Sequence, residues 1–249
     1  GLPESGDVAD VAILSVPYEL TTSYGQGTRA GPEAVLSASA QVELYDPLLP
    51  EDLPCGFTLH TAQPWDGVGD TLQEQLEGIT NYVSQFQASF PIILGGEHGM
   101  LPAIMKAVAQ QVDLNELTLI QIDAHADLRD NLDGDSDSHA CAARRSLDLG
   151  VSKILQIGIR AFAREEAIFA AEDSRVESWL ARDILNPCGG EAMWLNWLNT
   201  LSEIEGPVWL TLDLDGLDVA YVPTTGTPVT GGLAYWQVVE SIETIASAP

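Results

Sequence analysis

The chain has 249 residues, 45% hydrophobic and 19% charged, with 37 acidic against 10 basic side chains and a formal net charge of −27. That length and apolar fraction exclude a disordered tail and suffice for one large α/β domain with a sizeable core. The charge excludes phosphate backbones and anionic membranes as partners, because both would be repelled, and no apolar run approaches the roughly 18–20 residues of a membrane span.

The start, GLPESGDVAD, has neither a basic region nor an apolar core, so no signal peptide is expected. Cys55, Cys141 and Cys188 are odd in number, widely spaced and without a CxxC pair, which points to a reduced, cytoplasmic setting. The acidity reads first as a device for solubility, and second as a field that attracts a cationic substrate.

In chain order, short apolar runs alternate with segments of helical period, the signature of a mostly parallel sheet covered by helices. Predicted strands are Val11–Val16, Pro91–Leu94, Thr118–Ile122, Ile154–Ile159 and Val208–Leu212; several are continuously hydrophobic, as strands buried on both faces are. Leu72, Leu76, Ile79, Val83 and Phe86 share one helical face. Met100–Val112, Cys141–Leu149, Arg164–Ala171, Glu191–Leu201 and Tyr235–Ala248 are the other predicted helices. No internal repeat and no linker rich in Pro, Gly or Ser divides the chain, so a single domain over 1–249 is expected. One acidic loop, Asp130–Asp137, interrupts it.

Three of the four histidines stand just beyond predicted strands or beside carboxylates: His98 in LGGEHG, His125 in DAHAD and His139 in DSHA, with only His60 outside such a context. A lone histidine is usually a hydrogen-bonded structural residue, but this placement argues for more. After Thr118–Ile122 come Asp123, His125 and Asp127, two apart, which in extended chain project to one side. In open α/β sheets that C-terminal edge is where ligands bind. Val208–Leu212 likewise runs into Asp213 and Asp215, with Asp218 either a third ligand or a turn residue. A calcium loop is the rival for DLDGLD. It would need a preceding helix and a glutamate at its twelfth position, where Thr224 stands. The third piece, PIILGGEH, brings His98 behind a Gly95–Gly96 pair that lets backbone pass close beneath a ligand.

Two imidazoles and four carboxylates are too many ligands for one ion and suit two ions sharing bridging carboxylates. The oxygen-rich set favours manganese, with nickel, cobalt or zinc as alternatives. Two ions roughly 3.5–4 Å apart can activate a water for attack at neutral pH.

GGEH, DAHAD, SHA and DLDGLD…TGTPVTGG, together with VPYELTTSYGQGTRAGPEAVLSAS near the start and QIGIR at Gln156–Arg160, resemble the arginase–agmatinase ureohydrolases. The motifs occur in family order over nearly the whole chain. The resemblance implies a three-layer α/β/α sandwich around a mostly parallel eight-stranded sheet, and a homo-oligomer, trimeric or hexameric. It further implies that His98, Asp123, Asp127 and Asp213 hold one manganese ion. His125, Asp123, Asp213 and Asp215 hold the other, with Asp123 and Asp213 bridging. Asp127 would orient the attacking water, and His139 would match a mobile proton-shuttle histidine. The alternative for His139 is an ordinary residue at a helix start after Ser138.

The chain departs from the family pattern at Glu97, where Asp is usual, and at Gly99, where Ser is usual. Pro249 precedes a further strand and helix of that sheet, and the family's guanidinium-gripping glutamate lies on the strand; by resemblance the domain is incomplete at its C-terminus.

The implied reaction is hydrolysis of a linear guanidino compound, preferably agmatine, to urea and an amine. In the family the substrate tail meets the loop after DAHxD. Here Asp130, Asp133, Asp135 and Asp137 stand against Arg129 alone, which disfavours a carboxylate tail and welcomes an ammonium. Asp130, Asp137 and Thr227 are the candidate substrate contacts. Guanidinobutyrate, guanidinopropionate, guanidine, arginine and formiminoglutamate are alternative substrates, and an inactive binding or regulatory homologue is the alternative from another class. Loss of a metal ligand would mark such a homologue, and none is lost.

Overall fold

The computed structural model describes residues 9–67, 69–87 and 89–249. Contacts divide the chain into two compact units, one formed by the chain up to Thr21 with Gln26–Gln111, the other by Thr22–Gly25 with Val112–Pro249.

In the first unit the apolar run Val11–Val16 forms β1, followed by α1 (Gly31–Ser39), β2 (Leu59–Thr61), α2 (Leu72–Val83), β3 (Phe90–Gly95) and α3 (Leu101–Val108). The strands are parallel in the order β2-β1-β3. Thr71 and Glu74 start α2 with a reciprocal capping box, each side chain accepting from the other's backbone N–H. The helix then buries Leu76, Ile79 and Val83, and its Thr80 hydroxyl donates to the Ala103 carbonyl of α3 at 2.9 Å. His60 stacks on Phe86 with ring centroids 6.2 Å apart, a structural use of the fourth histidine.

The second unit runs β4 (Thr118–Ile122), α4 (Ala142–Asp148), β5 (Lys153–Ile159), α5 (Arg164–Glu172), β6 (Val176–Leu180), α6 (Ala181–Ile184), α7 (Gly190–Ser202), β7 (Val208–Leu212) and α8 (Tyr235–Ala246). Its parallel sheet has the order β6-β5-β4-β7. Ile120 and Ile122 of β4 and Leu155 and Ile157 of β5 join Ile184, Trp197, Leu201 and Val238 in one buried cluster on one face. The Trp197 indole satisfies its N–H on the Ser241 hydroxyl at 3.0 Å. Alternation along the strands turns Gln121 and Gln156 to the opposite face, and both are fully buried.

Three predicted strands coincide with β1, β4 and β7, and the other two lie inside β3 and β5. The short β2 and the mixed VESWL of β6 lack a continuous apolar run and were not expected; neither were α1 and α6. The resemblance implies one sheet of eight strands. The described residues carry seven, hydrogen-bonded as a group of three and a group of four.

Candidate metal centre

The two acidic motifs reach their positions through turns. Extended geometry was expected to align Asp123, His125 and Asp127. Instead the chain leaves β4 at Asp123, whose Oδ1 accepts from the His125 backbone N–H at 2.7 Å. Asp127 adopts a left-handed conformation, φ +52°. In the same way Asp213 Oδ1 accepts from the Asp215 N–H at 3.0 Å and starts a 3₁₀ turn over Leu214–Gly216. Asx turns of this kind suit aspartate at the ends of strands. Gly216 makes the approach of the two turns feasible, since a Cβ there would stand 2.8 Å from the Asp123 amide nitrogen.

Asp123, His125 and Asp215 consequently offer ligand atoms all within 4.8 Å of one another. Asp123 and Asp215 are almost wholly buried, and His125 Nδ1 stands 3.1 Å from Asp215 Oδ2 and 3.6 Å from Asp123 Oδ1. Burial by itself would lower the imidazole's pKa. Hydrogen bonds to the two carboxylates, with their charge, outweigh it and raise the value to about 11. Two buried carboxylates against one imidazole leave the group rich in negative charge. An oxygen-rich donor set with one imidazole nitrogen is chemically suited to a divalent first-row ion.

Asp127 is buried, and its carbonyl accepts from the Arg144 N–H at 3.0 Å. Asp213 is half-buried at the end of β7. Asp218 is a turn residue: its Oδ2 accepts from the Gly231 and Gly232 amides at 2.7 and 3.1 Å, and its Oδ1 from Ala220 N at 3.0 Å. These bonds, the Ala220 amide first, lower its pKa. Thr227, expected at the substrate, donates its hydroxyl to Asp215 Oδ2 at 3.1 Å.

His98 lies in the first unit, half-buried in the 3₁₀ turn that follows β3. Gly96 also serves the chain itself, because a Cβ there would collide with the Tyr18 carbonyl. The neighbouring Glu97 is buried and accepts from Thr21 N at 2.8 Å, Thr21 Oγ1 at 2.9 Å and Leu20 N at 3.2 Å. Burial raises its pKa against those hydrogen bonds.

His139 is half-buried at the start of a 3₁₀ turn before α4. Its Nε2 stands 3.4 Å from Ser23 Oγ and its Nδ1 3.4 Å from Ser138 Oγ. The acidic loop closes on an Asp133–Gly134 turn with both residues at positive φ, between reciprocal Leu132 and Asp135 backbone bonds of 2.9 and 3.0 Å. Arg129 does not stand open to a ligand. It pairs with Glu165 at 2.9 Å and approaches Glu166 at 3.7 Å. Asp130 is exposed and takes Arg145 at 2.9 Å. Asp137 is half-buried, its amide bonded to Asp135 Oδ1 at 2.9 Å. Among the described residues no Lys or Arg pairs with Asp133, Asp135 or Asp137.

Several supports were not anticipated from the sequence. Arg160 was noted only as the end of a motif. Its guanidinium donates to the carbonyls of Asp215 and Val229, at 2.6 Å each, and to Gly158 at 3.0 Å and Thr230 at 3.2 Å. Buried Glu166 accepts from Leu128 N at 3.1 Å and from Ala163 N at 2.6 Å, tying the loop after the metal motif to the start of α5. Gln121 donates to Asp123 Oδ2 at 2.8 Å. A polar residue inside an apolar strand was the available signal for Gln121 and Gln156.

Residues 9–249 match the Arginase family. The chain is 37% identical over 240 residues to the N(1)-aminopropylagmatine ureohydrolase of Synechocystis sp., covering 92% of this chain and 74% of that protein. It is 35% identical over 240 residues to the agmatinase of Pyrococcus horikoshii, covering 94% and 78%. The solved structure of the agmatine ureohydrolase of Thermoplasma volcanium matches with a TM-score of 0.79 at 27% identity, covering 97% of this chain and 80% of that one.

Proposed function

The chain belongs to the Arginase family, and from that premise we propose that this ureohydrolase uses two divalent metal ions, manganese in the first instance, to cleave agmatine to urea and putrescine. The observation that carries the reading is the Asp123–His125–Asp215 group, with both carboxylates buried. One ion would be held by His98, Asp123, Asp127 and Asp213, the other by His125, Asp123, Asp213 and Asp215. When bound, the ions supply Lewis acidity at the guanidinium carbon and an acidified water.

The protein's own part is orientation and proton transfer. Asp127, a buried carboxylate, accepts the proton of the attacking water and aligns it. The amine leaves only when protonated, and His139, between Ser23 and Ser138, is the group that moves a proton to it. Thr227 holds Asp215 in place through its hydroxyl.

Specificity follows from the loop charges. Arg129 is committed to Glu165 and Glu166, so a carboxylate tail finds no cation there. Asp133, Asp135 and Asp137 present negative charge to an ammonium tail. The same excess supports a second reading, N(1)-aminopropylagmatine, whose longer tail carries more positive charge for these carboxylates to balance.

The test is urea release by the manganese-loaded protein with agmatine, N(1)-aminopropylagmatine, arginine, guanidinobutyrate and guanidine assayed side by side. Urea from the amine-tailed compounds is the expected result. Turnover of arginine or guanidinobutyrate instead would overturn the loop argument, and no urea from any of them with two ions bound would overturn the activity.

Metal binding should also release protons. At neutral pH the metal-free protein carries the His125 proton, because the flanking carboxylates raise its pKa to about 11. A metal ion must displace it, so affinity rises with pH. Calorimetric titration of the metal-free protein with Mn²⁺ at pH 7.5, in buffers of different ionisation enthalpy, should report about one proton released from this position. A heat independent of buffer would exclude His125 as a ligand.

A further inference from the structure

Two carboxamides sit fully buried in the central strands of the second sheet, on the face that also carries Asp123. Gln121 of β4 and Gln156 of β5 are register partners, and Gln156 is paired in turn with Ser178 of β6. Their neighbours along the strands are aliphatic, so packing alone would favour Leu or Met here. Burying an amide without partners is unfavourable, so both need hydrogen bonds here.

Every hydrogen bond in the row runs one way. The Ser178 hydroxyl donates to Gln156 Oε1 at 2.9 Å. Gln156 Nε2 donates to Gln121 Oε1 at 2.7 Å and to the Ala126 carbonyl at 2.6 Å. Gln121 Nε2 then donates to Asp123 Oδ2 at 2.8 Å and reaches the His125 carbonyl at 3.3 Å. An amide can present oxygen or nitrogen to its neighbour with little change in shape. The Gln156 donor removes that choice for Gln121, whose NH₂ is left facing the carboxylate. Asp123 Oδ1 is already taken by the His125 N–H at 2.7 Å, so the plane of the carboxylate is set from both oxygens. The two carbonyls held by the same amides belong to the Asp-Ala-His-Ala-Asp turn itself.

We propose that Gln121 and Gln156, with Ser178 behind them, form a directional relay that positions Asp123 for metal binding. They are positioning residues, Gln156 acting through Gln121 and through the Ala126 carbonyl. The inference rests on the metal-site reading above, and its readout is metal affinity rather than turnover.

The experiment titrates metal-free wild type, Gln121→Met, Gln156→Met and the double variant with Mn²⁺, reading free ion by electron paramagnetic resonance. Losses of support behind a ligand cost about 10–100-fold in affinity. Gln121→Met is expected to weaken binding by about 10-fold or more, and Gln156→Met by less. The double variant should lose less than the sum of the two single losses, because the part of Gln156's effect that runs through Gln121 is gone once Gln121 is replaced. Wild-type affinity in a folded Gln121→Met protein, or losses that simply add, would overturn the proposal. If the glutamine variants do not fold, Ser178→Ala at the partly exposed end carries the test: weaker Mn²⁺ binding is expected, and wild-type affinity would overturn the relay. A wild type that binds no Mn²⁺ would instead defeat the metal-site reading itself.

Discussion

Asp127→Asn is expected to lower urea release by about 10³-fold, the scale of a lost acid–base group, while the fold survives. The structure explains why the fold should tolerate it. Asp127 is buried at φ +52°, and asparagine is among the few side chains that adopt the left-handed region readily. The replacement is isosteric, and the backbone carbonyl that accepts from Arg144 is unchanged. Circular dichroism and thermal melting should therefore match wild type while the urea assay does not. His139→Ala provides the contrast: slower turnover by about 10²-fold with the metal content unchanged. Full activity in the Asp127 variant would sink the proposed mechanism, and metal loss in the His139 variant would make that residue a ligand.

Arg160→Lys is expected to damage both stability and the placement of Asp215, a proposed metal ligand. The guanidinium joins the Asp215 carbonyl to those of Gly158, Val229 and Thr230 in one fork of donors. An ammonium is a point donor and cannot span that set. Burial lowers the Arg160 pKa, while the charges of Asp215, Asp218 and Asp123 oppose that shift. Carbonyls left without a donor cost about 1–3 kcal/mol each when buried. A net loss of about 3 kcal/mol would lower the melting temperature by on the order of 10 °C in a chain of this size. Manganese stoichiometry, measured on the same protein, should fall below wild type. An unchanged melting temperature with wild-type metal content would show that the loop Val229–Thr230 and the Asp215 turn hold without the fork.

These two residues also mark how far the sequence could be read. Asp127 was legible because a strand with a continuous apolar core runs into alternating ligand-type residues, a pattern that a plain polar loop gives no reason to keep. Arg160 stood out only as part of a motif. Its function depends on carbonyls 55 to 70 positions away along the chain, and backbone oxygens leave no mark in a sequence. Gln121 and Gln156 lie between: their polarity inside buried strands is visible, but their coupling requires the register between β4 and β5.

The expectation of extended geometry at DAHAD and DLD is where local reasoning went furthest astray. Alternation holds inside a strand, where neighbouring strands impose it. Beyond the last ladder bond the aspartates capture nearby amides, Asp123 that of His125 and Asp213 that of Asp215, and the chain turns. Asp123, His125 and Asp215 converge all the same, by a different route.

By itself, then, the sequence determined five of the strands, the family, the Asp and His residues that gather at Asp123, and a strongly acidic chain. Each is a property of residue type and short spacing, which hydrophobic burial and metal affinity reward locally. Tertiary structure alone decided that Arg129 is consumed by Glu165 and Glu166, that Thr227 serves Asp215, and that the Gln121 amide beside Asp123 is itself held by Gln156 of the adjacent strand. Hydrogen bonds and ion pairs reach only a few ångströms, so which groups they join depends on how the strands and turns bring distant segments together.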